Sequence, residues 1–112
     1  MKPLEWIGTS LEAVRAFGDE ARKHIGYQLY RVQSGLEPSD WKPMTVVGSG
    51  VREIRVHSRK DEFRAIYVAT FEEAVYVLHA FQKKSRKTPK PDLELASSRF
   101  KELVKQRKAK GR

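Results

Sequence analysis

Apolar residues recur at helical spacing in the first third of the chain and at alternate positions through the middle. Thr9-Ser10-Leu11-Glu12 predicts a helix start: Thr9 or Ser10 can cap, and Glu12 stands three residues after Thr9, as a capping box requires. Leu11, Val14 and Phe17 then follow on one face. Gly18-Asp19 interrupts the run, and Asp19 can cap a second helix whose stripe is Ala21, Ile25, Leu29 and Val32. Ser34-Gly35 ends that helix, because glycine tolerates the left-handed conformation just past a helix C-terminus. Two short helices, each with one apolar stripe, predict a helical hairpin that needs a sheet to bury it.

From Gly35 to Pro43 the chain reads as a loop, marked by Pro38, Asp40 and Pro43, with Trp41 packing at the domain edge. The pattern then changes to strands. Met44-Val47 predicts a short one, and Val51-Arg52-Glu53-Ile54-Arg55-Val56 a second after the Gly48-Ser49-Gly50 turn. Phe63 to Ala69 predicts a third, and the nearly continuous apolar run Ala74 to Phe81 a fourth, central one. The short connections favour an antiparallel meander. Thr88 with Pro89 or Pro91 starts a last helix with the stripe Leu93, Ala96, Phe100 and Leu103. The expected architecture is α+β: an N-terminal helical hairpin packed on a four-stranded antiparallel sheet, then a C-terminal helix, with one sheet face only partly covered. Residues 1–106 are expected to form a single domain and 107–112 a frayed basic tail.

Composition narrows the function. The 112 residues suffice for one domain, and 39% hydrophobic with 33% charged residues fits a globular protein with a modest core. No apolar run is long enough to span a bilayer, and the N-terminus lacks a signal-peptide pattern. There is no cysteine, which excludes disulfides, thiolate metal sites and cysteine nucleophiles. His24, His57 and His79 lack ligand spacing, so no metal or other cofactor is expected. No phosphate-binding glycine loop, nucleophile elbow or paired-carboxylate arrangement is visible. The expected setting is the cytoplasm, without a membrane partner.

Charge sharpens the picture. The net charge is +9, yet residues 1–82 hold 11 basic and 11 acidic side chains. Residues 83–112 hold 12 basic and 3 acidic, opening with Lys83-Lys84-Ser85-Arg86-Lys87-Thr88-Pro89-Lys90. A strand thus delivers a knot of cations to one edge of a balanced domain, a footprint suited to a polyanion and above all to nucleic acid. A solubilising basic tail is the plainer explanation.

Period-two alternation sorts the strand residues by face. Arg52, Ile54 and Val56 oppose Val51, Glu53 and Arg55. Arg64, Ile66 and Val68 oppose Phe63, Ala65 and Tyr67. Val75, Val77, His79 and Phe81 oppose Tyr76, Leu78 and Ala80. One face must be apolar to receive the helices, so the other can carry Arg52 or Arg55, then Arg64, and Lys83 and Lys84 at the strand exit. Such groups grip phosphate and stabilise added charge in a transition state. Each arginine can instead pair with Glu53, Glu62, Glu72 or Glu73 across strands. His79, set among apolar residues, is a candidate proton donor or acceptor, or a core histidine. Tyr67, Tyr76, Phe71 and Phe81 can stack bases but read chiefly as core, and Trp6 and Trp41 as packing anchors.

The runs Val51 to Val56, Phe63 to Val68 and Val77-Leu78-His79-Ala80-Phe81-Gln82-Lys83-Lys84-Ser85, with Lys87-Thr88-Pro89, resemble the phage-derived Gp49-like proteins of the RelE/HigB toxin superfamily. Gly26 to Leu29, Gln33 to Leu36 and Lys42 to Met44 resemble them too, so the likeness spans roughly residues 4 to 105. The resemblance implies a microbial-RNase fold and a toxin that cuts mRNA on the ribosome, held in check by a helix-turn-helix antitoxin of the HigA type. It implies that the RNA's own 2′-hydroxyl attacks the adjacent phosphate, with basic side chains replacing the usual Glu/His pair. Carried onto this chain, Arg55, Arg64, Lys83 and Lys84 would stabilise the phosphate and leaving group, and His79 would be the acid or base. Arg52, Arg59, Lys60, Arg86 and Lys87 would bind the RNA backbone. The tyrosine that RelE uses near its C-terminus has no counterpart, because no Tyr follows Tyr76.

Two other functions fit the same pattern. A ParE-type toxin would poison DNA gyrase by protein contact, without cutting RNA. A non-enzymatic RNA- or ribosome-binding module would use every cation for positioning, with salt-dependent affinity and no product.

Overall fold

The computed structural model describes residues 1–112. In chain order the elements are β1 (Leu4–Trp6), α1 (Ser10–Arg15), α2 (Asp19–Gln33), β2 (Trp41–Pro43), β3 (Val51–Ser58), β4 (Asp61–Val68), β5 (Val75–Lys83) and α3 (Lys90–Ala109). The protein is α+β, with a sheet of five strands rather than four, in the order β1-β5-β4-β3-β2. β1 is the added strand, and it pairs parallel with β5, Leu4 opposite Val75 and Trp6 opposite Val77. Three residues are too few to show a period, so β1 is defined by its neighbour rather than by its own pattern. The short first meander strand is also displaced. Trp41–Pro43 pairs antiparallel with β3, whereas Met44 and Val47 lie buried in the turn that follows.

The hairpin packs as its stripes predict. Val14, Ala21, Ile25, Leu29 and Val32 are buried against Ile54, Val56, Phe63, Ala65, Tyr67, Val75, Val77 and Ala80. Its caps differ from the expectation. Thr9 makes no capping bond; the Ser10 hydroxyl instead donates to the Val77 carbonyl at 3.0 Å and fixes α1 to β5. Gly18 occupies the N-cap of α2, and Asp19 sits in its first turn, paired with Arg22 at 3.1 Å. At the other end Gly35 has φ 85°, Leu36 N–H donates to Arg31 O and Gly35 N–H to Val32 O, the Schellman pattern.

α3 covers part of the second face, where Ala96 and Leu103 join Met44, Val47, Val51, Ile66, Val68, Ala74, Tyr76, Leu78 and Phe81 in a separate core. Gly48 allows this crossing, since a Cβ there would lie 2.3 Å from the Phe100 ring. The helix runs through Ala109, past the point where fraying is expected. Arg107 forks onto the Glu73 carboxylate and Arg112 reaches the same group at 3.5 Å.

One irregularity decides which side chains meet. Ile66 pairs with His79 but Tyr67 pairs with Val77, so Leu78 is an extra residue in β5. The bulge carbonyl accepts a bond from Arg99 of α3 at 2.8 Å. Simple alternation places Val75, Val77, His79 and Phe81 together. The bulge separates them: Val75 and Val77 face the hairpin, while Leu78, His79 and Phe81 all belong to the α3 side.

Candidate active site on the second sheet face

The register stacks the chemistry of the α3 side in three cross-strand rows. The first runs Lys42, Glu53, Ile66, His79; the second Arg55, Arg64, Phe81; the third His57, Glu62, Lys83. α3 begins above the first row and leaves the last two to the loop between β5 and α3. This half of the face is charged because no helix stripe packs there.

Glu53 is the centre of the arrangement and is fully buried. Its carboxylate accepts a bond from the Thr88 hydroxyl at 3.1 Å and lies 3.5 Å from Arg64 Nε and 3.8 Å from Lys42 Nζ. Arg64 is 3% exposed; its remaining nitrogens donate to the Phe63 carbonyl at 3.0 Å and to Glu62 at 2.9 Å. Hydrogen bonding from Arg64 holds the Glu62 carboxyl below the usual range. The pairing alternative is therefore realised for Arg64, with two carboxylates at once, and the residue is not on an open surface.

Arg55 is the contrast. It stands directly across from Arg64, is half-buried, and its Nε is buried without a partner. Two arginines opposed across strands repel, and only one of them has carboxylates to offset the repulsion. Lys83 completes the cationic side. Burial first, and then the nearby Arg64, push its pKa down, with Lys42 and Arg55 acting in the same direction.

His79 is 9% exposed and committed on two sides. Its Nε2 lies 2.6 Å from Asp92 of α3, and its ring stacks on Phe81 with centroids 5.4 Å apart. In the neutral ring Nε2–H donates to Asp92 and leaves the Nδ1 lone pair buried and unpartnered. His79 thus ties the start of α3 to the sheet, at the far end of the row that holds Glu53.

The other predicted residues divide by position. Lys60, Lys83, Lys84 and Arg86 line one polar groove with Asp61 and Glu62 at the exit of β5. Lys84 is exposed there, beyond the rows, and Lys87 is exposed in the same loop. Arg59, exposed in the β3–β4 turn with φ 58°, leans 3.8 Å from Glu20 of α2. Arg52 lies on the opposite, hairpin face, stacked 3.9 Å over Trp41 and 4.0 Å from Glu37. The choice between Arg52 and Arg55 for the open face falls to Arg55.

The sequence reading has Glu53 only as a cross-strand partner for an arginine and Thr88 only as a helix start, and it gives Lys42 and Asp92 no role in the site. Glu53 was visible as the one acid alternating with Val51 and Arg55 on a strand with buried flanks. Lys42 stands in a stretch that reads as loop, and Thr88 and Asp92 at the start of the last helix, and what they meet depends on the tertiary fold.

No curated protein matches the chain. The family model for the phage-derived protein Gp49-like family (DUF891) matches residues 12–101, which include β3, β4, β5, the basic loop and most of α3. The chain that builds these three rows of paired and unpaired cations belongs to the phage-derived Gp49-like family.

Proposed function

We propose that the protein is the toxin of a bacterial type II toxin–antitoxin module and acts as a ribosome-dependent mRNA endonuclease, with a helix-turn-helix, HigA-type antitoxin as its partner. The observation that carries this is the unequal arginine pair. Arg64 is fixed by Glu53 and Glu62, while Arg55 opposite it lacks a counter-ion and Lys83 stands in the next row. A site that holds excess positive charge at such short range is relieved by an anion, and a phosphodiester fits the spacing of the rows.

The reaction follows from those groups. The RNA 2′-hydroxyl attacks the adjacent phosphorus and the P–O5′ bond breaks, leaving a 2′,3′-cyclic phosphate and a 5′-hydroxyl. Arg55 binds a non-bridging oxygen. Arg64 reaches the same phosphate when the rim carboxylate of Glu62, half-exposed, gives way to it. Both guanidiniums stabilise the added charge of the transition state. Lys83, as a cation whose proton is held less tightly than usual, donates to the departing 5′-oxygen, and the 2′ proton passes to solvent or the ribosome. The groove of Lys60, Lys84 and Arg86 carries the neighbouring phosphates. With so few proton-transfer groups, free RNA is cut poorly, and the ribosome supplies the alignment of the 2′-hydroxyl.

The test is induction in a bacterial host followed by primer extension on a translated reporter. New 5′ ends within the reading frame are expected. Growth arrest with intact message would transfer the reading to a gyrase poison. Salt-sensitive RNA binding with neither arrest nor ends would leave a binding module.

A further inference from the structure

The hairpin face carries a second site. The cross-strand pair Arg52 and Tyr67 forms the floor of an open pocket, with Gly50, Ala69, Thr70, Met1 and Lys2 beside it and the end of α2 with the turn after it, Val32 to Glu37, as its wall. Tyr67 is 1% exposed, and its buried hydroxyl makes no well-formed hydrogen bond, the Arg52 guanidinium being the polar group beside it. A buried hydroxyl without a well-formed bond is costly, and here it lines a cavity beside a guanidinium. Arg52 stacks on Trp41, which fixes its plane, and its nearest carboxylate is that of the exposed Glu37 at 4.0 Å, too far for a hydrogen bond. Arg52 and the Tyr67 hydroxyl thus stand side by side in the pocket with no carboxylate within hydrogen-bond distance of either. Met1, Val32, Leu36 and Ala69 are the apolar part of the lining, beside the polar Lys2, Gln33, Ser34 and Thr70. Leu36 in the pocket wall, and Tyr27 and Tyr30 earlier on α2, are each more than half exposed, although most other large apolar residues are buried.

We infer that this pocket is a docking socket for a protein partner, which inserts an acidic side chain flanked by apolar residues. The carboxylate takes hydrogen bonds from Arg52 and from the Tyr67 hydroxyl, displacing Glu37, while the flanking residues cover Leu36 and the α2 tyrosines. Aromatic rims around a charged centre are the usual composition of protein–protein anchors. A nucleic acid has less to gain here, because the cations of the chain are concentrated at the exit of β5 on the other face. The inference is independent of the endonuclease reading, since it uses no residue of the three rows.

The probe is a blocked pentapeptide, acetyl-Ala-Leu-Glu-Leu-Ala-amide, titrated into the full-length ¹⁵N-labelled protein. Saturable amide shifts are expected at Leu36, Gly50 and Thr70, and the Gln-for-Glu peptide should bind at least about tenfold more weakly, the loss typical of a charge-assisted bond. Arg52→Gln should abolish the shifts, Tyr67→Phe should weaken binding, and Glu37→Gln should tighten it by removing the competing carboxylate. Equal binding of both peptides, or no effect of Glu37→Gln and Tyr67→Phe, would overturn the socket. The same shifts from acetate at equal concentration would identify a small-anion site, and from a short oligoribonucleotide a nucleic-acid site; either overturns the protein partner.

Discussion

The two faces of the sheet are made by the same three long strands, yet they solve different problems. On the hairpin side every strand contributes apolar residues to one continuous core, and α1 and α2 supply matching stripes. On the α3 side the apolar core stops part-way along the strands, and the rows beyond it hold Glu53, Arg55, Arg64, Glu62 and Lys83. Burial on the first face is non-directional and tolerant. On the second it depends on charges that meet within 4 Å, so a single deletion leaves an uncompensated ion. The contrast separates a face that holds the fold from one whose charges are arranged for a ligand.

The sharpest way to break this comparison is to truncate one residue on each face. Leu29→Ala is expected to cost about 2–5 kcal/mol through transfer and cavity terms. Arg64→Ala is expected to cost about 3–5 kcal/mol, because Glu53 stays buried without its closest cation. The difference appears on adding a second change: Glu53→Gln should recover much of the Arg64→Ala loss and none of the Leu29→Ala loss. Urea unfolding of the four variants measures this, and equal behaviour of both backgrounds would erase the distinction.

Acid should act within the α3 side, at the far end of the helix. Bonding from Arg107 lowers the Glu73 pKa from 4.5 to about 2. Because the folded value lies below the unfolded one, the stabilisation is complete above 4.5 and is lost as pH falls from there toward 2. Glu73→Gln should therefore lower Tm near neutral pH, and the gap to wild type should narrow on acidification to about pH 3. A gap independent of pH would place the stabilisation in packing rather than charge. The smallest effect is expected on the hairpin side. Tyr67→Phe removes a buried hydroxyl that makes no well-formed hydrogen bond, so stability should be unchanged or raised by about 1 kcal/mol. A clear loss would mean that the hydroxyl is bonded in the unliganded protein.

The hairpin, the three long strands and α3 were legible because each has enough residues to display its period. The stripe Ala21, Ile25, Leu29, Val32 is buried as written, and so are Ala96 and Leu103 of the last helix. β1 and β2 were not legible, at three residues apiece, and their pairing is dictated by β5 and β3. The site was half legible. Alternation grouped Arg64 with Ile66 and Arg55 with Glu53, but only the register between strands puts the two groups on one face. The Leu78 bulge moved His79 and Phe81 across the sheet relative to Val75 and Val77, and no residue type at that point announces it. Sequence reading offered Glu53 as an arginine's partner but not as a hub, since an acid between Arg52 and Ile54 has the same pattern whether it is a surface pair or the centre of a buried network.

The central claim is that Arg55 and Lys83 serve a phosphate rather than the fold. The most direct measurement is single-turnover cleavage of a ribosome-bound message by the purified wild type and by Arg55→Ala/Lys83→Ala, with urea unfolding of both. The account predicts a fall in cleavage of about 100-fold or more, as for loss of preorganised charge at a transition state, with the unfolding midpoint held to within about 1 kcal/mol of wild type, as for substitutions outside the core. Undiminished cleavage by the equally stable variant would contradict it.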